Sequence, residues 1–190
     1  RLGHRDRRAL PVSADRIVVT VGTDHHRFDR LVAWTDHWAA AHPEVDVFIQ
    51  HGTAMAPEVA TGTPLVAPDD LRARVAAATA VVTHGGLSSI METRAAGFLP
   101  IVVARDPGAG EHVDGHQQAF TAHQERLGRI ALIRTEDEFS AALDRAVLDP
   151  AAYRLPAGTA DVSAAVDEVA TLVDDLLRRR PARHRRKAAS

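Results

Sequence analysis

The chain has 190 residues, of which 45% are hydrophobic and 25% charged, and it contains no cysteine. That fits one soluble globular domain with a core of its own, and it excludes disordered or fibrous chains, disulfide frameworks, thiolate nucleophiles and cysteine-ligated metal centres. The net charge of −2 conceals basic ends: residues 1–16 hold five Arg against two acids and residues 178–190 hold six Arg and one Lys against none, which leaves residues 17–177 at −12, too acidic a body for a nucleic-acid surface.

From residue 16 onward, short β-branched runs alternate with stretches of helical period, the pattern of βαβ units around a parallel sheet. In chain order the sequence predicts a strand at 16–21, a helix at 28–41, strands at 45–50 and 63–66, and a helix at 69–78. It then predicts a strand at 80–83, a helix at 87–96, a strand at 99–104, a helix at 115–127, a strand at 129–133 and a helix at 136–148. Thr135 followed by Glu138 fits a capping box, and Gly97 and Gly128 stand where helices end just before the next strand.

The domain is expected over 16–149, after a basic segment at 1–15. Residues 150–158, with Pro150, Pro156 and Gly158, read as a linker. Beyond it Val166, Val169, Val173, Leu176 and Leu177 recur at helical spacing, so 150–177 is expected to hold that linker and an amphipathic helix. The tail 178–190 reads either as a solvated disordered terminus or as a patch for anionic lipid. No apolar run reaches the roughly 18 residues of a membrane span, and the N-terminal segment has charge without an apolar stretch, so no signal peptide is expected.

In an open parallel sheet, ligands bind beyond the carboxyl ends of the strands. Three loops have suitable residues there: Thr20-Val21-Gly22-Thr23-Asp24, Thr83-His84-Gly85-Gly86-Leu87-Ser88-Ser89, and residues 105–116. The second is the most telling. Two glycines and two serines at a strand-to-helix turn admit a ligand close to the backbone, and a helix N-terminus carries about half a positive charge, which suits phosphate or diphosphate. The plainer reading of the same glycines is a tight turn with a serine cap. Neither a dinucleotide fingerprint nor a Walker loop is present. Glu92, one turn into the helix, suits sugar hydroxyls of a nucleotide ribose.

The run Thr83-His84-Gly85-Gly86-Leu87-Ser88-Ser89-Ile90-Met91-Glu92, then Gly97, Pro100-Ile101-Val102-Val103, and Gly110-Glu111-His112-Val113-Asp114-Gly115-His116-Gln117, resembles the glycosyltransferase family 28 C-terminal domain. With Val19-Thr20-Val21-Gly22-Thr23 and Phe28-Asp29-Arg30-Leu31-Val32 it is similar to the small donor-binding subunits of two-component transferases. The dolichol-linked N-acetylglucosamine transferase and the exopolysaccharide glucuronosyltransferases are examples. The resemblance spans residues 16–148. It implies an α/β fold, a Rossmann-like parallel sheet with helices on both faces, forming the C-terminal half of the GT-B architecture.

By motif position the resemblance implies that Gly22, Thr23, His84, Gly85, Gly86, Leu87, Ser88 and Ser89 hold the diphosphate of a UDP-sugar. It places Glu92 on the ribose, His116 and Gln117 on the donor sugar, and Val66 on the uracil. No catalytic residue is assigned, and neither cofactor nor metal is expected. The chemistry implied is an inverting displacement by a cytoplasmic subunit, with a membrane-associated partner presenting a lipid-linked or glycan acceptor. Two alternatives stand beside it: a non-catalytic nucleotide-sugar scaffold, and a fragment of a GT-B sugar-nucleotide epimerase.

Other motifs weigh less. Asp24-His25-His26 looks like a phosphoesterase metal motif without its companion aspartates, and residues 111–116 are read as the donor-sugar loop in preference to a metal site. Gly86-Leu87-Ser88-Ser89-Ile90 begins like a nucleophile elbow but lacks the closing glycine. Trp34 and Trp38, one turn apart, are expected to pack in the core. His4, His37, His42 and His123 are expected on the surface.

Overall fold

A computed structural model describes residues 16–156. Residues 1–15, the helix expected before residue 177 and the basic tail lie outside the described residues. The described residues form six parallel strands and five α-helices. They are β1 (Arg16–Thr20), α1 (Asp29–Ala41), β2 (Asp46–Gln50), β3 (Thr61–Thr63), α2 (Pro68–Ala76), β4 (Ala80–His84), α3 (Leu87–Ala95), β5 (Ile101–Val103), α4 (His116–Arg126), β6 (Ala131–Ile133) and α5 (Glu136–Leu148).

The strand order is β3-β2-β1-β4-β5-β6, with every neighbouring pair parallel. Successive strands from β1 run one way along the sheet and those from β4 the other, so the order reverses between β1 and β4. Alternation along β1 shows how the two layers are built. Ile17 and Val19 join the larger core with Leu31 and Val32 of α1 and Phe139 and Leu143 of α5. Val18 faces the opposite way, into a cluster with Phe48 and Val81 against which Leu71 and Val75 of α2 pack. On that second face Ile90 of α3 and Phe120 of α4 cover Val102. Burying a side chain such as Phe139 or Leu143, each 0% exposed, contributes about 1.5–3 kcal/mol.

Local chemistry sets the helix ends. The Thr135 hydroxyl accepts from the Glu138 backbone N–H at 3.2 Å, and the Glu138 carboxylate accepts from the Arg134 N–H at 2.7 Å, so the capping box closes one residue further out than the usual reciprocal pair. After α3, Phe98 N–H donates to the Thr93 carbonyl and Gly97 N–H to the Arg94 carbonyl, with Gly97 at φ +86°. That left-handed turn satisfies two carbonyls and suits glycine alone among common residues. Trp38 is buried and donates from Nε1 to Asp144 at 2.8 Å, while Trp34 packs on Phe139, so both tryptophans serve the α1–α5 seam.

Two predicted segments differ. The strand expected at 63–66 is instead Thr61–Thr63, and Val66 lies beyond it, packed with Leu71 and Val75. This edge strand is short and exposed and carries no apolar alternation to fix its register. The linker expected from residue 150 begins as part of the domain: Pro150–Tyr153 is a 3-10 turn, Tyr153 is buried, and Arg154 stacks on the Phe98 ring at 3.8 Å while donating to the Ala78 carbonyl at 2.6 Å. Leu99 N–H to Tyr153 and Leu155 N–H to Gly97 complete this strap.

Candidate functional site

The carboxyl ends of β1, β2 and β4 open into a cavity of about 850 Å³, spacious enough for a nucleotide-sugar. Its floor is the reversal point of the sheet. Every residue expected to meet the donor lines it except Gly85 and His116. A Cβ on Gly85 would stand 2.8 Å from the Thr121 side chain, so this glycine lets α4 approach the loop. His116 is exposed and bonds to Asp114 through both its backbone N–H and Nδ1, away from the cavity wall.

His84, the last residue of β4, is the centre of the floor. Its ring lies between two glycines: a Cβ on Gly22 would stand 2.5 Å from its Cε1 and one on Gly86 2.3 Å from its Nε2. Gly22 also has φ +80°. Both positions therefore exclude a side chain, one by space and one by space and backbone conformation together. Burial, reinforced by the charge of Arg105, holds the imidazole at a pKa of about 4, so it is neutral at physiological pH. Its Nδ1 is buried with no hydrogen-bond partner.

Immediately after it, α3 starts without a side-chain cap. The serine cap of the plainer reading is absent, and the first helical bond is Ile90 N–H to the Gly86 carbonyl. The N–H groups of the first turn thus face the cavity as unspent donors at the positive end of the helix dipole. Ser88, Ser89 and Glu92 line the same side. Opposite them, Val66, Leu71 and Val75 make an apolar wall.

Two glutamines line the cavity with buried side-chain oxygens that have no partner, Gln50 Oε1 and Gln117 Oε1. An orphaned buried acceptor costs about 1–3 kcal/mol, and a ligand N–H or hydroxyl removes that cost. Gln117 belongs to the set read from sequence. Gln50 does not, and neither does Arg72, the arginine on the wall. The signal for Gln50 was its place as the polar residue that closes the apolar run Val47-Phe48-Ile49 at the carboxyl end of β2.

A buried arginine fixes the loops that carry Gly22 and Glu111. Arg105, 1% exposed, donates from Nη2 to the Val21 carbonyl at 2.8 Å and from Nη1 to the carbonyls of His26 at 2.7 Å and Glu111 at 3.0 Å. Glu111 in turn accepts from Arg30 Nε and Nη2 at 2.9 and 2.7 Å and from the Asp106 N–H at 2.8 Å. The geometry of the loops after β1 and β5 is therefore tied to both β1 and α1.

The glycosyltransferase family 28 C-terminal domain matches residues 16–161. The chain belongs to this family. Among solved structures, the family 28 domain described here is similar to the kitacinnamycin glycotransferase, with a TM-score of 0.57 and 22% identity over 94% of this chain and 47% of that one. It is also similar to CalG4, the calicheamicin glycosyltransferase, with a TM-score of 0.54 and 17% identity over 90% of this chain and 44% of that one. The family 28 domain thus spans about half the length of these structures and has the GT-B C-terminal fold. No curated protein matches it. Among the described residues no helix is long and apolar enough to cross a membrane.

Proposed function

We propose that this family 28 domain binds a UDP-sugar and acts as the donor side of an inverting glycosyltransferase. The observation that carries the reading is the pairing of an uncapped α3 N-terminus with His84, held between Gly22 and Gly86, on the floor of one cavity. Backbone N–H groups at a helix start bind phosphate oxygens without a lysine or a metal, so no metal is needed on the diphosphate. In this reading Glu92 and Gln117, which line the cavity, accept from ribose hydroxyls and meet the sugar. Val66, on the apolar wall with Leu71, is near enough to cover the flat base.

In the transfer, an acceptor hydroxyl attacks the anomeric carbon from the face opposite the diphosphate. The C–O bond to UDP breaks with inversion, and the hydroxyl proton passes to a base. Charge accumulates on the departing diphosphate, where the α3 N–H groups and its dipole stabilise it more strongly in the transition state than in the bound donor. Neutral His84 adds a hydrogen-bonding ring beside that charge. The base and the acceptor site belong to a second half or subunit, which we place at the cytoplasmic face of a membrane with a lipid-linked or glycan acceptor. An N-acetylglucosamine, hexose or uronic acid donor fits this reading.

Saturation-transfer NMR with UDP-N-acetylglucosamine, UDP-glucose and UDP-glucuronate tests it. Transfer to both uridine and sugar protons of at least one donor is expected; transfer from none of them overturns the reading.

A further inference from the structure

The loop after β1 and the loop after β5 bring the imidazoles of His25, His26 and His112 around the Asp24 carboxylate. Asp24 Oδ1 accepts from the His26 N–H at 2.7 Å and lies 2.6 Å from His26 Nδ1 and 3.7 Å from His25 Nδ1. Asp24 Oδ2 lies 3.7 Å from His112 Nε2, across the gap between the loops. The rings of His25 and His26 are 3.9 Å apart and those of His26 and His112 5.6 Å. Donor atoms of Asp24, His25 and His26 fall within 4.8 Å of one another, and His112, which forms a second such group with Asp114 and His116, adjoins the first through Asp24. Ligands about 2.0–2.1 Å from a tetrahedral Zn²⁺ stand about 3.4 Å apart, close to the 3.7 Å separations of Asp24 from His25 and His112.

We infer that Asp24, His25, His26 and His112 form a binding site for a borderline divalent transition ion, of which Zn²⁺ is the type. Imidazole with one carboxylate selects such ions over Mg²⁺ or Ca²⁺, which favour oxygen. The rings bind as neutral imidazoles. The proton between His26 Nδ1 and Asp24 moves to His26 Nε2, and the ion takes its place. The two loops are already fixed, since Arg105 holds the carbonyls of His26 and Glu111 together from behind. Its cation opposes the incoming ion, which the Asp24 carboxylate must offset. The ion pins the β1 loop to the β5 loop at the cavity rim, where Asp24 forms part of the wall. This departs from the metal-free expectation of the sequence and is independent of which nucleotide the cavity takes.

The test uses the full chain, stripped with EDTA, titrated with Zn²⁺ and with Co²⁺, whose visible absorption reports imidazole and carboxylate ligation. One saturating equivalent, a four-coordinate Co²⁺ spectrum and no response to Mg²⁺ are expected. His26→Gln and His112→Gln are each expected to weaken binding about tenfold or more, with His37→Ala, a distant exposed histidine, unchanged. Thermal unfolding in EDTA checks that each variant folds, and the exposed His25→Ala carries the comparison if His112→Gln does not. Absence of saturable Zn²⁺ binding, an equal response to Mg²⁺, or full binding in the variants that fold overturns the inference.

Discussion

The His84 ring occupies the space that a side chain on Gly22 would need: a Cβ there would lie 2.5 Å from its Cε1. The two residues sit at the ends of β1 and β4, the strands between which the sheet order reverses, so the contact fixes the ring at the one place where both loops reach a ligand. Gly86 closes the other side. A tenable account of this site therefore starts from the absence of two side chains.

Gly86→Ala tests the fit with the least backbone strain, because Gly86 has φ −81°. The new methyl must displace the imidazole and the start of α3. A loss of about 1–3 kcal/mol in stability is expected from the overpacking, measured by urea unfolding, together with a loss of UDP affinity by calorimetry. Unchanged affinity would separate the ring position from binding.

Glu92→Ala is expected to weaken UDP binding by about 1–3 kcal/mol through lost charge-assisted hydrogen bonds to the ribose. Because Glu92 is exposed, stability should move little. The comparison of UDP with uracil is decisive: the variant should lose affinity for the first and leave the second as it was.

Arg105→Met removes a buried cation whose two terminal nitrogens serve the carbonyls of Val21, His26 and Glu111. Each carbonyl left buried and unpaired costs about 1–3 kcal/mol, so a loss of roughly 3 kcal/mol or more is expected in denaturant unfolding. Cation–π packing of Arg105 on Phe28 is lost with it. A loss below about 1 kcal/mol would show that water replaces the guanidinium.

Stability should also depend on pH through His84. Its pKa is about 4 in the folded chain and 6.5 when exposed. Between these values the unfolded chain binds the additional proton, so the stabilisation is fully present above about pH 6.5 and is lost as pH falls toward 4. The loss reaches up to about 3 kcal/mol. Urea unfolding at pH 7.5 and 4.5 measures it, and His84→Asn should flatten the difference.

The sequence made the layers of this domain legible because its signals are local. The β-branched run of β1, the Thr135 cap and the glycines at 97 and 128 each act within a few residues, and α5 begins and ends where predicted. The edge strand was misplaced because Thr61–Thr63 has no buried face to impose a pattern. Most of the cavity wall followed from motif order. The positioning role of Arg105 and the array joining Asp24 to His112 were illegible, since each depends on contacts between loops about 80 to 90 residues apart that no spacing rule encodes. His116, expected on the sugar, bonds to Asp114, two residues away.

The cavity at the β1–β4 reversal is proposed to take a uridine diphosphate without a metal. Calorimetric titration of the chain with UDP in EDTA, with ADP and GDP as controls, tests it most directly. The account predicts saturable, one-to-one binding that favours UDP over both controls and is weakened by Glu92→Ala. Equal binding of all three nucleotides, or no saturable binding of UDP, contradicts it.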